Sequence, residues 1–385
     1  MIPAPAGDKR QPVLGILGGG QLARMLALAA APLGVNCLVV DAAADACAGQ
    51  VAPLLVAGWD DYEALAAFAD QVDAVTFDFE NVPAQTARWL AERVAVHPAP
   101  DALAVAQDRL DEKNLFRACG LPTPEFAPVA TRAELDAALA RIGAPAILKT
   151  RRLGYDGKGQ FRLKTLADAD AAWATLGSQA EVTGLILEAF VPFERELSVL
   201  AVRGRDGEFR TWPLTANWHT DGVLSFSMAP APDIDVLQPR ATALARTLAE
   251  RLDYVGVFAL ELFVRDGELL GNEMAPRVHN SGHWTIEGAH TSQFENHVRA
   301  VLGLPLGDTG VRGCSAMFNW LGSLPDPAPV LAAVDAHWHD YGKQPRPGRK
   351  VGHATVCAPD AAQLATRVHA IAQALGREAQ VRGLG

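Results

Sequence analysis

Two acids set inside apolar strands pose the first chemical question. Glu261 interrupts Phe258-Ala-Leu-Glu261-Leu-Phe263, and Glu273 closes Leu269-Leu-Gly-Asn272-Glu273. A carboxylate in apolar surroundings is costly unless a cation meets it. Two of them on neighbouring strands suit Mg²⁺, a hard ion usually held by one or two carboxylates plus nucleotide phosphates. For either acid alone, an ion pair with Arg or Lys is the competing reading. Upstream, Ile147-Leu-Lys149-Thr150 carries a lysine in an apolar strand and leads into Arg151-Arg152-Leu-Gly154-Tyr155-Asp156-Gly157-Lys158-Gly159-Gln160. Such a cationic glycine loop can fold its amides over phosphate oxygens while Lys149 neutralises their charge. It is not a Walker loop, because GxxxxGK[ST] is absent. A solvated hairpin with Lys149 at its edge is the plainer alternative, but a lysine buried in an apolar run needs an anionic partner.

A second glycine cluster lies near the start. Gly15-Ile-Leu-Gly18-Gly19-Gly20-Gln21 follows an apolar strand and opens a helix, and Asp41 ends the next strand. That pattern approaches the dinucleotide fingerprint, in which glycines bring amides to a phosphate at a helix N-terminus. It fits a tight βα turn without ligand equally well, so an NAD-linked oxidoreductase stays open as a rival on this motif alone.

The elements that must position these residues read as α/β. Pro12 to Leu17, Val35 to Val40, Pro53 to Val56 and Ala74 to Phe77 are short buried-strand runs alternating with helical spacing at Gln21 to Leu33, Asp60 to Phe68 and Ala84 to Glu92, the pattern of a parallel βαβ sheet. Gln107 to Cys119 is helical and is stopped by Gly120, Pro122 and Pro124. Strands then dominate at 146–150, 160–163, 185–191 and 196–202, with helices at 167–176 and 238–252, further strands at 258–264 and 269–273, and a last helix at 361–374. A chain of 385 residues exceeds one small core, so two or three domains are expected. Lys+Arg 34 against Asp+Glu 44 gives −10, which offers no broad platform for nucleic acid or anionic lipid. Five separated cysteines without a CxxC pair suggest neither a disulfide framework nor a zinc site. Met1 to Gln11 lacks an apolar signal core and no run reaches membrane-span length, so the cytoplasm is expected.

Lysine strand, cationic glycine loop and paired acids, in that order, look like an ATP-grasp ligase. Asp78-Phe-Glu80-Asn-Val-Pro83, Gln107-Asp108-Arg109, Gly154-Tyr-Asp-Gly-Lys-Gly159, Asn272-Glu-Met-Ala-Pro-Arg-Val-His-Asn-Ser-Gly-His-Trp284, Gln293-Phe-Glu-Asn-His297 and Arg346-Pro-Gly-Arg-Lys-Val-Gly-His353 together resemble the 5-(carboxyamino)imidazole ribonucleotide synthase family. The resemblance implies an N-terminal Rossmann-like domain over 1–107, an ATP-grasp domain over 108–310 with a small lid at about 120–192, and a C-terminal domain over 311–385. It implies a reaction of ATP, bicarbonate and 5-aminoimidazole ribonucleotide, with Mg²⁺, in a homodimer.

Carried over by residue, Arg109, Lys149, the loop Gly154, Tyr155, Asp156, Gly157, Lys158, Gly159 and Gln160, the backbone of Glu188, Ala189, Phe190 and Val191, the acid Glu196, and His219 are implied ATP contacts. At the 188–191 hinge, side-chain identity is expected to matter little. Glu261 and Glu273 are the implied Mg²⁺ ligands, with Asn272 beside them. Arg277, His279 and Asn280 are assigned to bicarbonate and its carboxyphosphate. Tyr155, Asp156, Glu80, Lys343 and Arg349 are assigned to the aminoimidazole ribonucleotide, with Gly19, Gly20 and Gln21 holding its phosphate at the helix N-terminus. Asp156 or a nearby histidine takes the amine proton. Arg151, Arg152, His283 and His290 carry no assigned role. Another ATP-grasp ligase with a different amine acceptor, and a nucleotide-binding protein without turnover, remain as rivals.

Overall fold

The computed structural model describes residues 10–154 and 159–384. The first unit is a parallel sheet of β1 (Val13–Leu17), β2 (Asn36–Asp41), β3 (Leu54–Val56) and β4 (Ala74–Phe77) in the order β3-β2-β1-β4. β4 is buried along its whole length, as a strand covered on both faces must be. Helices α1 (Gln21–Ala30), α2 (Tyr62–Ala69) and α3 (Ala84–Ala91) supply the crossovers and cover.

Two helices lead onward, α4 (Pro100–Ala106) and α5 (Arg109–Ala118). The single helix expected over 107–119 begins two residues later, because Asp108 is its N-cap and accepts from the Leu110 amide. A short helix precedes it: Pro100 occupies the first turn of α4, where a missing N–H costs nothing.

A small antiparallel sheet follows, built from β5 (Phe126–Val129), β6 (Ala146–Thr150), β7 (Gln160–Leu163) and β8 (Leu185–Ala189) in the order β5-β8-β6-β7. It packs beneath α6 (Arg132–Ile142), opened by a Thr131/Glu134 capping box, and α7 (Ala169–Leu176).

The largest sheet has nine strands. They are β9 (Arg195–Arg203), β10 (Phe209–Thr211), β11 (Thr215–Thr220), β12 (Val223–Ala229), β13 (Gly256–Arg265), β14 (Glu268–Ala275), β15 (Cys314–Leu321), β16 (Ala336–Asp340) and β17 (Lys350–Ala358). The order is β14-β13-β9-β11-β12-β15-β17-β16, with β10 on the edge of β9. Strands after residue 311 therefore extend the same sheet that carries Glu261 and Glu273. Helices α8 (Ile234–Arg251), α9 (Thr285–Gly288), α10 (Gln293–Leu302), α11 (Ala328–Leu331) and α12 (Ala361–Ala374) complete the chain.

One core joins the first sheet to the large one. Leu14 and Ile16 of β1, Leu26 of α1, Val257 of β13 and Phe294 and Val298 of α10 belong to a single buried cluster. Among the described residues no helix is long and apolar enough to cross a membrane. All five cysteines are free thiols.

Candidate functional site

The paired acids meet across β13 and β14. Glu261 stands opposite Glu273 in the ladder, and the register slips immediately beyond, where Leu262 faces Gly271. Asn272 is thus the extra residue of a β-bulge, a device that re-aims side chains beside active sites. Asn272, Glu273 and Glu261 all line a cleft of about 370 Å³. Burial, reinforced by the Glu273 charge, pushes the Glu261 carboxyl up to about 8. Glu273 is more open, its side chain 43% exposed against 14% for Glu261, and Arg109 at 3.1 Å holds it below its usual value. Two acids of which one resists ionisation are the signature of a site short of positive charge. Among the described residues no cluster of three or more His, Cys, Asp or Glu could hold a metal by itself. The pair suits an ion that completes its shell with phosphate oxygens and water, which fits Mg²⁺.

The cations expected to meet phosphate are tied into a buried network. Lys149 Nζ lies 2.9 Å from Glu188 Oε2, and the wholly buried Lys113 lies 3.5 Å from the same oxygen. Burial opposes ionisation of Glu188, but Lys113 and Lys149 hold it down at about 2. Side-chain identity at 188 therefore matters, contrary to the hinge expectation, because an apolar residue there would strand two buried ammonium groups. The hinge amides are also partly spent: Ala189 N–H donates to Glu125 O and Phe190 N–H to Pro145 O. Ala189, Phe190 and Val191 do not line the cleft, whereas Phe193, stacked on Phe263 at 4.6 Å, does. Glu196 and His219 line it as a hydrogen-bonded pair. Gly154 and Gln160 border the cleft, and Arg109 donates to Gly154 O at 3.3 Å. Gly159 precedes β7 with φ +70°, and its carbonyl accepts from Thr150 N–H. Tyr155, Asp156, Gly157 and Lys158 lie outside the described residues.

Arg277, His279 and Asn280 occupy the same cleft, with Lys350 nearby. Arg277 pairs with Glu80, so one residue assigned to bicarbonate and one assigned to the ribonucleotide form a single ion pair. Burial raises Glu80 and Arg277 more than offsets it, leaving the carboxyl at about 2. His279 sits 3.2 Å from Glu261, and burial together with the Arg277 charge keeps its imidazole well below the usual histidine range. Asn280 is 8% exposed, and neither polar atom of its amide has a partner among the described residues.

The first glycine turn answers differently from expectation. Gly19 N–H donates to Asp41 Oδ2 at 2.7 Å, and Gly20 N–H and Ala23 N–H donate to Asp78 at 2.6 and 2.8 Å. The amides of Gly19 and Gly20 that were to cradle a phosphate are already taken by carboxylates. Asp41 likewise spends its two oxygens on Gly19 and Ala43 amides, as a turn brace and not a ribose acceptor. Glycine is needed here for approach: a Cβ on Gly20 would stand 2.5 Å from Asp78 Oδ2. What remains for an anion is cationic. Gly19, Gly20, Lys343 and Arg349 line a second cavity of about 620 Å³, and Lys343 is held by the Gln21 side chain.

Family models match three consecutive parts of the chain: a ribonucleotide synthetase preATP-grasp domain over 12–107, an ATP-grasp domain over 114–294, and a phosphoribosylaminoimidazole carboxylase C-terminal domain over 315–367. The N5-carboxyaminoimidazole ribonucleotide synthase of Pseudomonas aeruginosa is 53% identical, covering 92% of this chain and 97% of the relative. The chain belongs to the N5-carboxyaminoimidazole ribonucleotide synthase family. Within it, the crystal structure of the Thermus thermophilus synthetase superimposes with a TM-score of 0.89 at 53% identity, covering 94% of this chain and 98% of that one. An Aspergillus clavatus synthase structure in complex with ADP and 5-aminoimidazole ribonucleotide gives 0.86 at 31% identity, covering 95% and 99%. The chain is thus an ATP-grasp ligase, and the NAD-linked reading falls.

Several functional-looking residues escaped the sequence reading. Lys113 and Glu112 sit inside an ordinary amphipathic helix, and only their near-complete burial marks them. Burial pushes Glu112 up to about 8 while it accepts from Met274 N–H at 2.6 Å. Arg151 and Arg152 acquire a role: both pair with the buried Asp108, at 2.7 and 3.0 Å, at the foot of the glycine loop. Lys350 belongs to the Arg346–His353 motif but carried no assignment there.

Proposed function

We propose that this chain carboxylates 5-aminoimidazole ribonucleotide with bicarbonate, consuming ATP and releasing ADP and phosphate, as a step of de novo purine synthesis. The observation that carries the reading is the shared cleft. A carboxylate pair short of positive charge faces the Arg277, His279 and Asn280 group, and the buried Asn280 amide has no hydrogen-bond partner among the described residues. Triphosphate chemistry and a small anion would thereby sit side by side.

Bicarbonate is a poor electrophile, so its oxygen attacks the γ-phosphorus of ATP and the amine meets the activated carboxyl afterwards. Glu261 and Glu273 would hold Mg²⁺, which when bound spreads charge on the transferring phosphoryl group. Lys149 and Arg109 flank the phosphate path, and Glu188 fixes Lys149 in place. Arg277 and Asn280 orient bicarbonate. Tyr155 and Asp156 remain assigned by resemblance, and Lys343 and Arg349 supply cations for the ribonucleotide phosphate. A cytoplasmic homodimer is the accompanying reading, supported by the family resemblance.

ADP release with ATP, Mg²⁺ and bicarbonate, with and without 5-aminoimidazole ribonucleotide, tests this. Strong dependence on the ribonucleotide, lost in Glu273→Gln, is expected. ATP binding without stimulation by the ribonucleotide would sink the substrate assignment and leave only the ligase class.

A further inference from the structure

His279 is held by an ordered chain of buried hydrogen bonds that runs away from the cleft. Asn217 Nδ2 donates to Ser198 Oγ at 3.1 Å, Ser198 Oγ donates to Ser281 Oγ at 2.7 Å, and Ser281 Oγ lies 2.9 Å from His279 Nδ1. The Ser281 backbone N–H also points at Nδ1, at 3.3 Å. A backbone amide can only donate, so Nδ1 is an acceptor whichever way the hydroxyls turn. The ring proton then sits on Nε2, which faces Glu261 Oε1 at 3.2 Å. Ser198 is itself the cross-strand neighbour of Glu261, so one strand pair supports both ends of the imidazole. The backbone is fixed as well: Gln293, fully buried on α10, accepts from His279 N–H at 2.8 Å and donates to His279 O at 2.7 Å. These four polar side chains gain nothing from burial by themselves, and each makes a bond that converges on one histidine.

We propose that Asn217, Ser198 and Ser281 are positioning residues that hold His279 as its Nε2–H tautomer, so that it meets the anionic substrate as a hydrogen-bond donor and not as the base that takes the amine proton. The inference rests on the reading that the Arg277, His279 and Asn280 group faces bicarbonate. Nε2–H faces Glu261 here, and once that carboxylate turns towards a cation the same N–H becomes a directed donor to a carboxyl oxygen as negative charge builds, with no proton to relocate first.

Histidine-selective ¹⁵N NMR of the full-length, ligand-free protein tests the tautomer, with the His279 signals assigned by their loss in His279→Asn. The expected spectrum has an unprotonated Nδ1 and a protonated Nε2 in the wild type, and tautomer averaging in Ser198→Ala and Ser281→Ala. A wild-type Nδ1–H tautomer, or an unaltered signal in both variants, overturns the proposal, and the wild-type measurement stands even if a variant fails to fold. In the ADP-release assay, Ser198→Ala is expected to lower kcat about tenfold, the size of one net hydrogen bond at the transition state. The KM for ATP should stay within about twofold, and Ser198→Thr should restore most of the rate by keeping the hydroxyl. Equal loss in the Ala and Thr variants would mean that Ser198 acts by packing alone and would overturn the relay. If the ribonucleotide is the wrong substrate, the wild type itself shows no stimulation, whereas the tautomer is read without any substrate.

Discussion

Asn280 carries a buried amide that the described residues leave open, and in the proposed reading a ligand completes it. Among those residues it makes no side-chain hydrogen bond, so removing it takes no bond from the native network. Asn280→Ala should leave the unfolding free energy from urea titration almost unchanged, within about 0.5 kcal/mol. The same substitution should lower kcat/KM for bicarbonate by about tenfold to a hundredfold, because a donor in a dry cleft acts on the charge that develops there. Steady-state rates with bicarbonate varied check this, and an unaltered kcat/KM would remove Asn280 from the anion site. Glu188 is the opposite case. Its carboxylate answers two buried lysines, so its contribution is to the network first and to ATP only through Lys149.

At the level of elements, α5 is the piece that connects the two halves of the cleft proposed to hold ATP. Its N-cap Asp108 binds Arg151 and Arg152 at the end of β6, its first turn sends Arg109 to Glu273, and Glu112 and Lys113 grip the backbone of β14 at Met274 and Asn272. One helix thereby fixes the lysine strand and the paired acids in a common frame. Asp108→Asn keeps a capping oxygen but removes the charge that two guanidinium groups share, so stability should fall by about 1–3 kcal/mol. The KM for ATP should rise several-fold while Glu273 remains intact. Thermal unfolding together with ATP titration checks both, and an unchanged KM would mean that α5 braces the fold without aligning the phosphate loop.

Across the whole molecule, His297 links the first sheet to the large one. Its Nδ1 accepts from Val257 N–H at 2.9 Å, and its Nε2 lies 2.6 Å from Thr76 Oγ1 on β4. Burial lowers this histidine to about 3, and burial lowers His97 to about 4 and His283 and His353 well below their usual range. A histidine depressed in the folded state takes up a proton on unfolding, so its contribution is present above about pH 6.5 and is lost as pH falls. Glu112 and Glu261, raised to about 8 by burial, act in the opposite sense and weaken the fold as pH rises from the ordinary carboxylate range up to that value. His297→Gln should therefore flatten the dependence of unfolding free energy on pH between about 5 and 6 by about 1.4 kcal/mol per pH unit. Urea unfolding at three pH values measures the slope. An unchanged slope would mean that His297 titrates alike in both states.

Strand periodicity, the apolar flanks of Glu261 and Glu273, and the spacing of the two glycine clusters are local properties, so the order of residues alone makes them legible. From them come the α/β class, the lysine strand, the paired acids and the motifs that resemble the family. The last helix, 361–374, is legible to the residue, because Asp360 caps it and its apolar spacing is regular. Helices α6 and α10 are passed over in the sequence reading, although Leu135, Ala138 and Leu139 in one and Phe294, Val298 and Val301 in the other keep the helical spacing. Only the tertiary structure decides who pairs with whom. Asp78 reaches back to the Gly20 amide across 58 residues, Glu80 meets Arg277 across 197, and Arg109 meets Glu273 across 164. The order of residues determines which positions carry charge. Which donors are already spent, and which stay open to a ligand, depends on docking of distant elements, where burial makes every unpaired charge costly and so selects the partner.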